Sequence, residues 1–150
     1  MTPPLNLKPI GYVENDALDP GRRDWDSLVS RLVINDAYAR ALRGLEEFSH
    51  LLVIYWFHLP GTLLLRRHPR GRKDLPIVGL FATRTQFRPN PLGVRVVRLL
   101  RIEGTTLVVK GLDAVNQTPL IDIKPYMPER DRVSRAKVPA WVRKLNENKT

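Results

Sequence analysis

The residues best suited to chemistry lie together in the segment FATRTQFRPNPLG, which carries Arg84 and Arg88 directly behind the apolar run LPIVGLF. A guanidinium can hold a carboxylate or a phosphate through two parallel hydrogen bonds. Pro89 and Pro91 stiffen the backbone, and a stiff loop loses little entropy when its side chains bind a ligand. Asn90 offers amide groups that can hold the turn. The segment is therefore interpreted as a rigid anion-recognition loop.

Several other kinds of site are excluded by what the chain lacks. There is no cysteine among the 150 residues, which excludes disulfides, thiolate nucleophiles, zinc–thiolate sites and iron–sulfur clusters. The three histidines, His50, His58 and His68, do not have the spacing of a metal-binding helix, so no metal site is predicted. Neither a G-x-G-x-x-G turn, nor a Lys-Ser/Thr phosphate loop, nor a nucleophile elbow is present. Rossmann enzymes and serine hydrolases are thus disfavoured.

The chain is basic, with 25 Lys+Arg against 15 Asp+Glu and a formal net charge of +10. One cluster, RRHPRGRK, runs from Arg66 to Lys73, and a second lies between Arg130 and Lys137. Clusters of cations attract polyanions and gain affinity from counterion release. They predict a nucleic-acid partner, with a merely solubilising surface as the open alternative.

Short β-type segments must position these residues. The hydrophobic patterns predict strands at Leu7–Val13, SRLVIN, HLLVIYWFHL, Ile77–Thr83, GVRVVRLLRIEG, TTLVVKGL and Leu120–Ile123. The GVRVVRLLRIEG strand needs one bulge to keep its register, and it forms a hairpin with TTLVVKGL. Helices are predicted for AYARALRGLEEF, with Asp36 as its N-cap, and for Val138–Asn146.

Many short strands with one or two short helices predict a mainly β fold, a single antiparallel β-barrel spanning residues 1–150. The longest apolar run, LLVIYWF, is far shorter than the roughly 20 residues of a membrane span. The N-terminus has no signal-peptide pattern. A cytoplasmic protein without a membrane partner is expected.

Four sequence segments, in chain order, are similar to motifs of a known family: IGYV, LRGLEEFSHLLVIYWFH, GLFATRTQFRPNPLGV and LDAVNQTPLIDIKPYMPERD. Together they resemble the TsaA-like, or TrmO, family over about Pro9 to Asp131. The resemblance implies a β-barrel methyltransferase that uses S-adenosyl-L-methionine and acts on N6-threonylcarbamoyladenosine in tRNA. It also implies a homodimer, with the cofactor cleft near the subunit contact.

The resemblance also implies the roles of individual residues. The positions that match the family's cofactor pocket are Phe57, His58, Arg84, Val94, Asp113, Asn116 and Thr118. The DIKPY phrase supplies Asp122, Lys124 and Tyr126, which we expect at the floor of the same cleft. Asp122, His58 and Tyr126 are the catalytic candidates, with Asp122 or His58 as the base that removes a proton from the attacking nitrogen. The candidates for substrate binding are Arg88, Asn90, Lys124, Arg70, Arg72 and Lys73.

The chain departs from the family pattern in its first loop, where DPGRRDWDS replaces a common Pro-Arg-Gln phrase, and in Asn116–Pro119, which replaces Asp-Gly-Thr-Pro. Two alternatives therefore stay open. In the first alternative, the acceptor of the methyl group is a small metabolite instead of tRNA. In the second, the chain is a non-catalytic module that binds the cofactor or RNA.

Overall fold

The computed structural model describes residues 1–147, and its central feature is a closed barrel of six antiparallel strands in the order β1-β2-β7-β6-β3-β8. The strands of the structure are β1 (Gly11–Glu14), β2 (Val29–Ile34), β3 (His50–Trp56), β4 (Arg66–Arg67), β5 (Val78–Gly79), β6 (Leu92–Glu103), β7 (Thr106–Lys110) and β8 (Pro119–Pro125). Strands β4 and β5 form a separate two-stranded sheet. The predicted antiparallel barrel is confirmed.

Alternating side chains fill the barrel. On β3, Leu51, Val53 and Tyr55 point inward and are almost fully buried, whereas Leu52 and Ile54 point outward. Inward residues of the other strands complete the core, namely Val13, Leu32, Ile34, Val97, Leu107, Val109 and Leu120. The predicted bulge in β6 is confirmed, because the β6–β7 register shifts between Leu99 and Arg101.

The segment between β2 and β3 is not the α-helix that the sequence predicted. It forms two 3₁₀ helices, Asp36–Leu42 and Leu45–Glu47, separated by Gly44 at a φ of 88°. The apolar residues that pack on the core, Leu42, Leu45 and Phe48, recur every three residues, which matches three residues per turn. Asn35, not Asp36, precedes the first turn.

Two predicted strands are shorter than expected. The first begins at Gly11 instead of Leu7. The segment Ile77–Thr83 forms only β5, followed by the 3₁₀ turn Leu80–Ala82, with Leu80 buried and both Ile77 and Phe81 exposed.

Beyond the barrel lie two α-helices, α1 (Pro128–Asp131) and α2 (Ala140–Glu147). The second confirms the predicted terminal helix. None of the helices within residues 1–147 has the length and apolar character needed to cross a membrane.

Candidate functional site

The antiparallel order brings three loops to one end of the barrel, which we call the mouth. They are the first loop (15–28), the long connection from β3 to β6 (57–91) and the connection from β7 to β8 (111–118). The start of β6 faces the end of β3, and the Phe57 N–H donates to the Pro91 carbonyl at 2.7 Å. The mouth therefore gathers Phe57, His58, the arginine loop and Asp113.

A polar network lies inside the mouth around Tyr55. Its ring is 1% exposed and its hydroxyl donates to the Asp113 carboxylate. Burial, followed by the Asp113 charge, raises the pKa of Tyr55 far above its usual 10.0. Tyr55 therefore stays a hydrogen-bond donor at neutral pH and holds Asp113 in place.

Arg95 completes this network from β6. It lies opposite buried Val53, so its side chain starts on the inner face of the barrel. One terminal nitrogen contacts Asp26 of the first loop at 2.6 Å, and the other lies 3.5 Å from the second oxygen of Asp113. Arg95 thus links the first loop to the β7–β8 connection.

Arg84 lies at the rim of the mouth. Its Nη2 donates to the Val94 carbonyl at 3.0 Å, and the side chain is exposed. The charges of Arg95 and Arg84 lower the pKa of the Tyr55 hydroxyl, against the larger opposite effects of burial and Asp113. Because a guanidinium has five N–H donors, Arg84 keeps donors for a ligand. Val94 takes part through this carbonyl, since its side chain is 46% exposed on the outer face of β6.

Arg88 braces its own loop. Its Nη1 donates to the carbonyls of Thr83 at 2.7 Å and Thr85 at 3.3 Å, and its guanidinium lies 6.0 Å from the centre of the Phe81 ring. Arg67 donates to the Thr85 hydroxyl at 3.2 Å. The loop is held by arginines as well as by prolines. The Asn90 side chain is exposed at its tip.

Asn116 and Thr118 shape the β7–β8 connection. The Asn116 side chain accepts from the Asn15 N–H at 3.1 Å, and Gln117 adopts a φ of 68°. Thr118 is 2% exposed, and its hydroxyl donates to the Val115 carbonyl at 2.7 Å. These contacts support the turn that follows Asp113.

A cavity of about 210 Å³ opens beside the mouth, lined by Phe57, Leu59, Gly61, Phe87 and Pro91, among others. The Phe57 ring also packs edge-on against Tyr55, with ring centres 5.2 Å apart. His58 is exposed next to this cavity. An aromatic ring and a small apolar slot therefore adjoin the polar network.

Of the DIKPY residues, Tyr126 lies away from this cleft, which corrects the sequence prediction for that residue. The Tyr126 N–H bonds the His50 carbonyl at the start of β3, about 20 Å along the strand from Phe57. Asp122 lies opposite Ile54 on the outer face of the barrel, pairs with Lys124 at 2.7 Å and lines a different cavity, of about 570 Å³. Antiparallel pairing of β8 with β3 carries Tyr126 away from the mouth.

The RRHPRGRK loop contacts the C-terminal helix. Arg72 forms an ion pair with Asp74 at 2.7 Å and donates to the Lys144 carbonyl at 3.3 Å. Arg70 donates to the Leu145 carbonyl at 3.4 Å. Carbonyls at a helix C-terminus favour cations. Of the three substrate-binding candidates in this loop, Arg70 and Arg72 are therefore engaged within the chain, whereas Lys73 is exposed.

Sequence reasoning missed Tyr55, Arg95 and Asp26. Two of them left a detectable signal, since Tyr55 and Arg95 are polar groups at inward positions of apolar strands. Asp26 left none, because its role depends on where the first loop folds. Within residues 1–147 the acidic and histidine side chains form no metal-binding group of three.

Comparison with known proteins places these features in a family. The family model described as "tRNA-methyltransferase O N-terminal domain" matches residues 21–132. An S-adenosyl-L-methionine-binding protein of Archaeoglobus fulgidus is 41% identical over 135 residues, covering 86% of this chain and 94% of the relative. A human tRNA (adenine(37)-N6)-methyltransferase is 35% identical over 137 residues, covering 85% of this chain and 31% of that protein.

Solved structures agree with this placement. The crystal structure of TrmO superimposes with a TM-score of 0.75 at 32% identity, covering 92% of this chain. This chain spans 64% of the length of that solved chain. The resemblance predicted from the sequence is confirmed, and the protein belongs to the tRNA-methyltransferase O N-terminal domain family.

Proposed function

We propose that this protein is an S-adenosyl-L-methionine-dependent methyltransferase that modifies N6 of an adenosine in tRNA, specifically N6-threonylcarbamoyladenosine beside the anticodon, in the cytoplasm. The family match and the names of its relatives support the enzyme class and the cofactor. The observation that carries the proposal is the convergence of Arg84, Asp113 and Phe57 at the barrel mouth.

The residues at the mouth fit the cofactor chemically. When bound, S-adenosyl-L-methionine supplies a methyl group on a sulfonium. Arg84 has donors for its carboxylate, and Asp113, held in place by Tyr55 and Arg95, has acceptor capacity for its ammonium or hydroxyl groups. The Phe57 face and the adjoining cavity suit the adenine or the sulfonium.

Among the sequence-predicted bases, His58 directly follows Phe57 at the mouth. Tyr126 lies at the far end of β3, and Asp122 lies opposite Ile54 on the outer face of the barrel, where it pairs with Lys124. The N6 nitrogen of a threonylcarbamoyl adenosine belongs to a urea, so a weak base suffices to remove its proton. We propose His58 for this role, while Tyr55, which keeps its proton, positions Asp113.

The outer face of β3 and β6 supports a homodimer. Leu92, Val94 and Val96 are 37%, 46% and 41% exposed and lie opposite Trp56, Ile54 and Leu52. A contiguous apolar surface of this kind marks an interface. A second copy packed here would lie beside the Arg84–Val94 contact and hence beside the cofactor residues. Sedimentation velocity tests this proposal.

We expect S-adenosyl-L-methionine to stabilise the protein against heat. A ligand at 100 times its dissociation constant adds about 2.7 kcal/mol to the free energy of unfolding, which raises the melting temperature by several degrees. Differential scanning fluorimetry measures this shift, with adenosine as the control ligand that lacks the methionine part. An unchanged melting temperature at millimolar cofactor would contradict the proposed function.

A second candidate acceptor, a small metabolite, is favoured by one observation: Arg70 and Arg72 are engaged with α2. If the acceptor is tRNA, replacing Arg70, Arg72 and Lys73 with glutamine should weaken tRNA binding for all sequences alike. Each lost phosphate contact should flatten the slope of log affinity against log salt by about 0.7–0.9. Filter binding measures both effects.

The single variant Lys73→Gln is the control for this experiment, because it leaves the contacts to α2 intact. Cofactor affinity should be unchanged in both variants. Equal tRNA affinity and an equal salt slope in the triple variant would argue against a role of this loop in tRNA binding.

A further inference from the structure

A row of basic side chains crosses the outer wall of the barrel over strands β3, β6 and β7. His50 on β3 pairs with Arg98 on β6, and Arg98 pairs with Lys110 on β7. All three alternate with inward core residues, so they share the outer face. Arg98 lies six positions, or about 20 Å, along β6 from Leu92, and Lys110 is the last residue of β7 before the β7–β8 connection.

The central pair of this row places two like charges directly opposite each other. Cross-strand partners have Cβ atoms about 4.5–5.5 Å apart, and like charges at this spacing destabilise a sheet. Within residues 1–147, neither Arg98 nor Lys110 has a carboxylate within 4.0 Å. Glu46 and Glu47 lie on a turn that contacts β6, yet they form no ion pair with Arg98. The pair is therefore repulsive and uncompensated.

Other cations of the barrel wall are compensated. On the same face, Arg31 and Arg101 flank Val108 and both bind Glu103, at 2.9 and 2.6 Å. They hold the pKa of Glu103 below its usual value. Lys124 on β8 pairs with Asp122 at 2.7 Å. The barrel thus supplies carboxylates where cations meet, except at Arg98 and Lys110.

We propose that Arg98 and Lys110 bind a backbone phosphate of the RNA acceptor. A phosphodiester shares one negative charge between two non-bridging oxygens, which suit the fork of Arg98 on one side and the ammonium of Lys110 on the other. Binding removes the repulsion between the two cations, so the cost of their placement is offset only in the complex. The proposal rests on the proposed function in one respect, that the acceptor is RNA.

The test compares two double variants that lose the same charge. In Arg98→Gln/Lys110→Gln, the slope of log affinity against log salt for unfractionated tRNA should flatten by about 0.7–0.9, as expected for the loss of one phosphate contact. Its melting temperature should be unchanged or higher, because a repulsive pair has gone. In the control Arg31→Gln/Arg101→Gln, the slope should match the wild type and the melting temperature should fall. Filter binding between 50 and 200 mM salt and scanning fluorimetry give the two readouts.

A third variant, Arg98→Glu, places opposite charges across β6 and β7. It should raise the melting temperature and weaken tRNA binding more than Arg98→Gln does. Equal salt slopes in both double variants, with tRNA still bound, would overturn the phosphate contact of Arg98 and Lys110. The proposal that the acceptor is RNA would still stand. If the wild type binds S-adenosyl-L-methionine in calorimetry but no tRNA at 50 mM salt, both the row and the RNA acceptor are wrong.

Discussion

Gly93→Ala is expected to lower the melting temperature by roughly 4–12 °C, from a loss of about 1–3 kcal/mol at about 4 °C per kcal/mol. A Cβ atom at Gly93 would lie 2.5 Å from Cζ of Tyr55 and 2.9 Å from Cζ of Phe57. The Tyr55 ring cannot retreat, because it is 1% exposed and its hydroxyl is held by Asp113. The added methyl group must therefore displace the site as well as the core. Scanning fluorimetry measures the first effect and cofactor calorimetry the second.

Gly79→Ala provides the matched control. An added Cβ at Gly79 has no atom within 4 Å, and its φ of −66° suits any residue. We expect its melting temperature and cofactor affinity to equal those of the wild type. If Gly93→Ala were as stable as Gly79→Ala, the tight packing of Tyr55 against β6 would be wrong.

Arg84→Ala is expected to weaken the binding of S-adenosyl-L-methionine about 10- to 150-fold. The lost contact is a charge-assisted hydrogen bond, worth about 1.5–3 kcal/mol. The protein itself should keep its stability, because Arg84 is exposed and its hydrogen bond within the chain goes to the Val94 carbonyl. Calorimetry of cofactor binding, with fluorimetry of the free protein, separates the two effects.

Arg84→Lys should restore only part of the affinity, since an ammonium cannot reproduce the planar fork of a guanidinium. Arg66→Ala removes the same charge from an exposed position on β4 and should leave the affinity unchanged. If Arg84→Ala and Arg66→Ala bound S-adenosyl-L-methionine with equal affinity, the assignment of Arg84 to the cofactor pocket would be wrong.

The strands were predictable where alternation and β-branched residues were strong. HLLVIYW was predicted as a strand from its β-branched and aromatic content, and the structure forms β3 there. The segment Asp36–Glu47 could not be read as 3₁₀ turns, because a period of 3 and a period of 3.6 differ little over so few residues. The short β5 depended on burial that only the packed structure defines.

The site was predictable in part. Arg84 and Phe57 were singled out from phrases of the sequence, and the structure brings them to one end of the barrel with Asp113. Tyr126 was expected there as well, but strand direction decides which end a residue occupies. A strand pattern alone does not reveal direction, so the sequence could not place Tyr126.

The closure of the barrel has a consequence for synthesis of the chain on the ribosome. β1 pairs with β8, so one edge of β1 at Gly11 stays unpaired until Leu120 has been synthesised. At about 5–20 residues per second, this delay is roughly 5–20 s. The hairpin of β6 and β7 forms from neighbouring residues. The apolar strand β3 (HLLVIYW) pairs with β6 on one edge, but its other edge stays unpaired until β8 emerges. Nascent chains arrested before Pro119 should therefore engage chaperones at β3 until translation resumes.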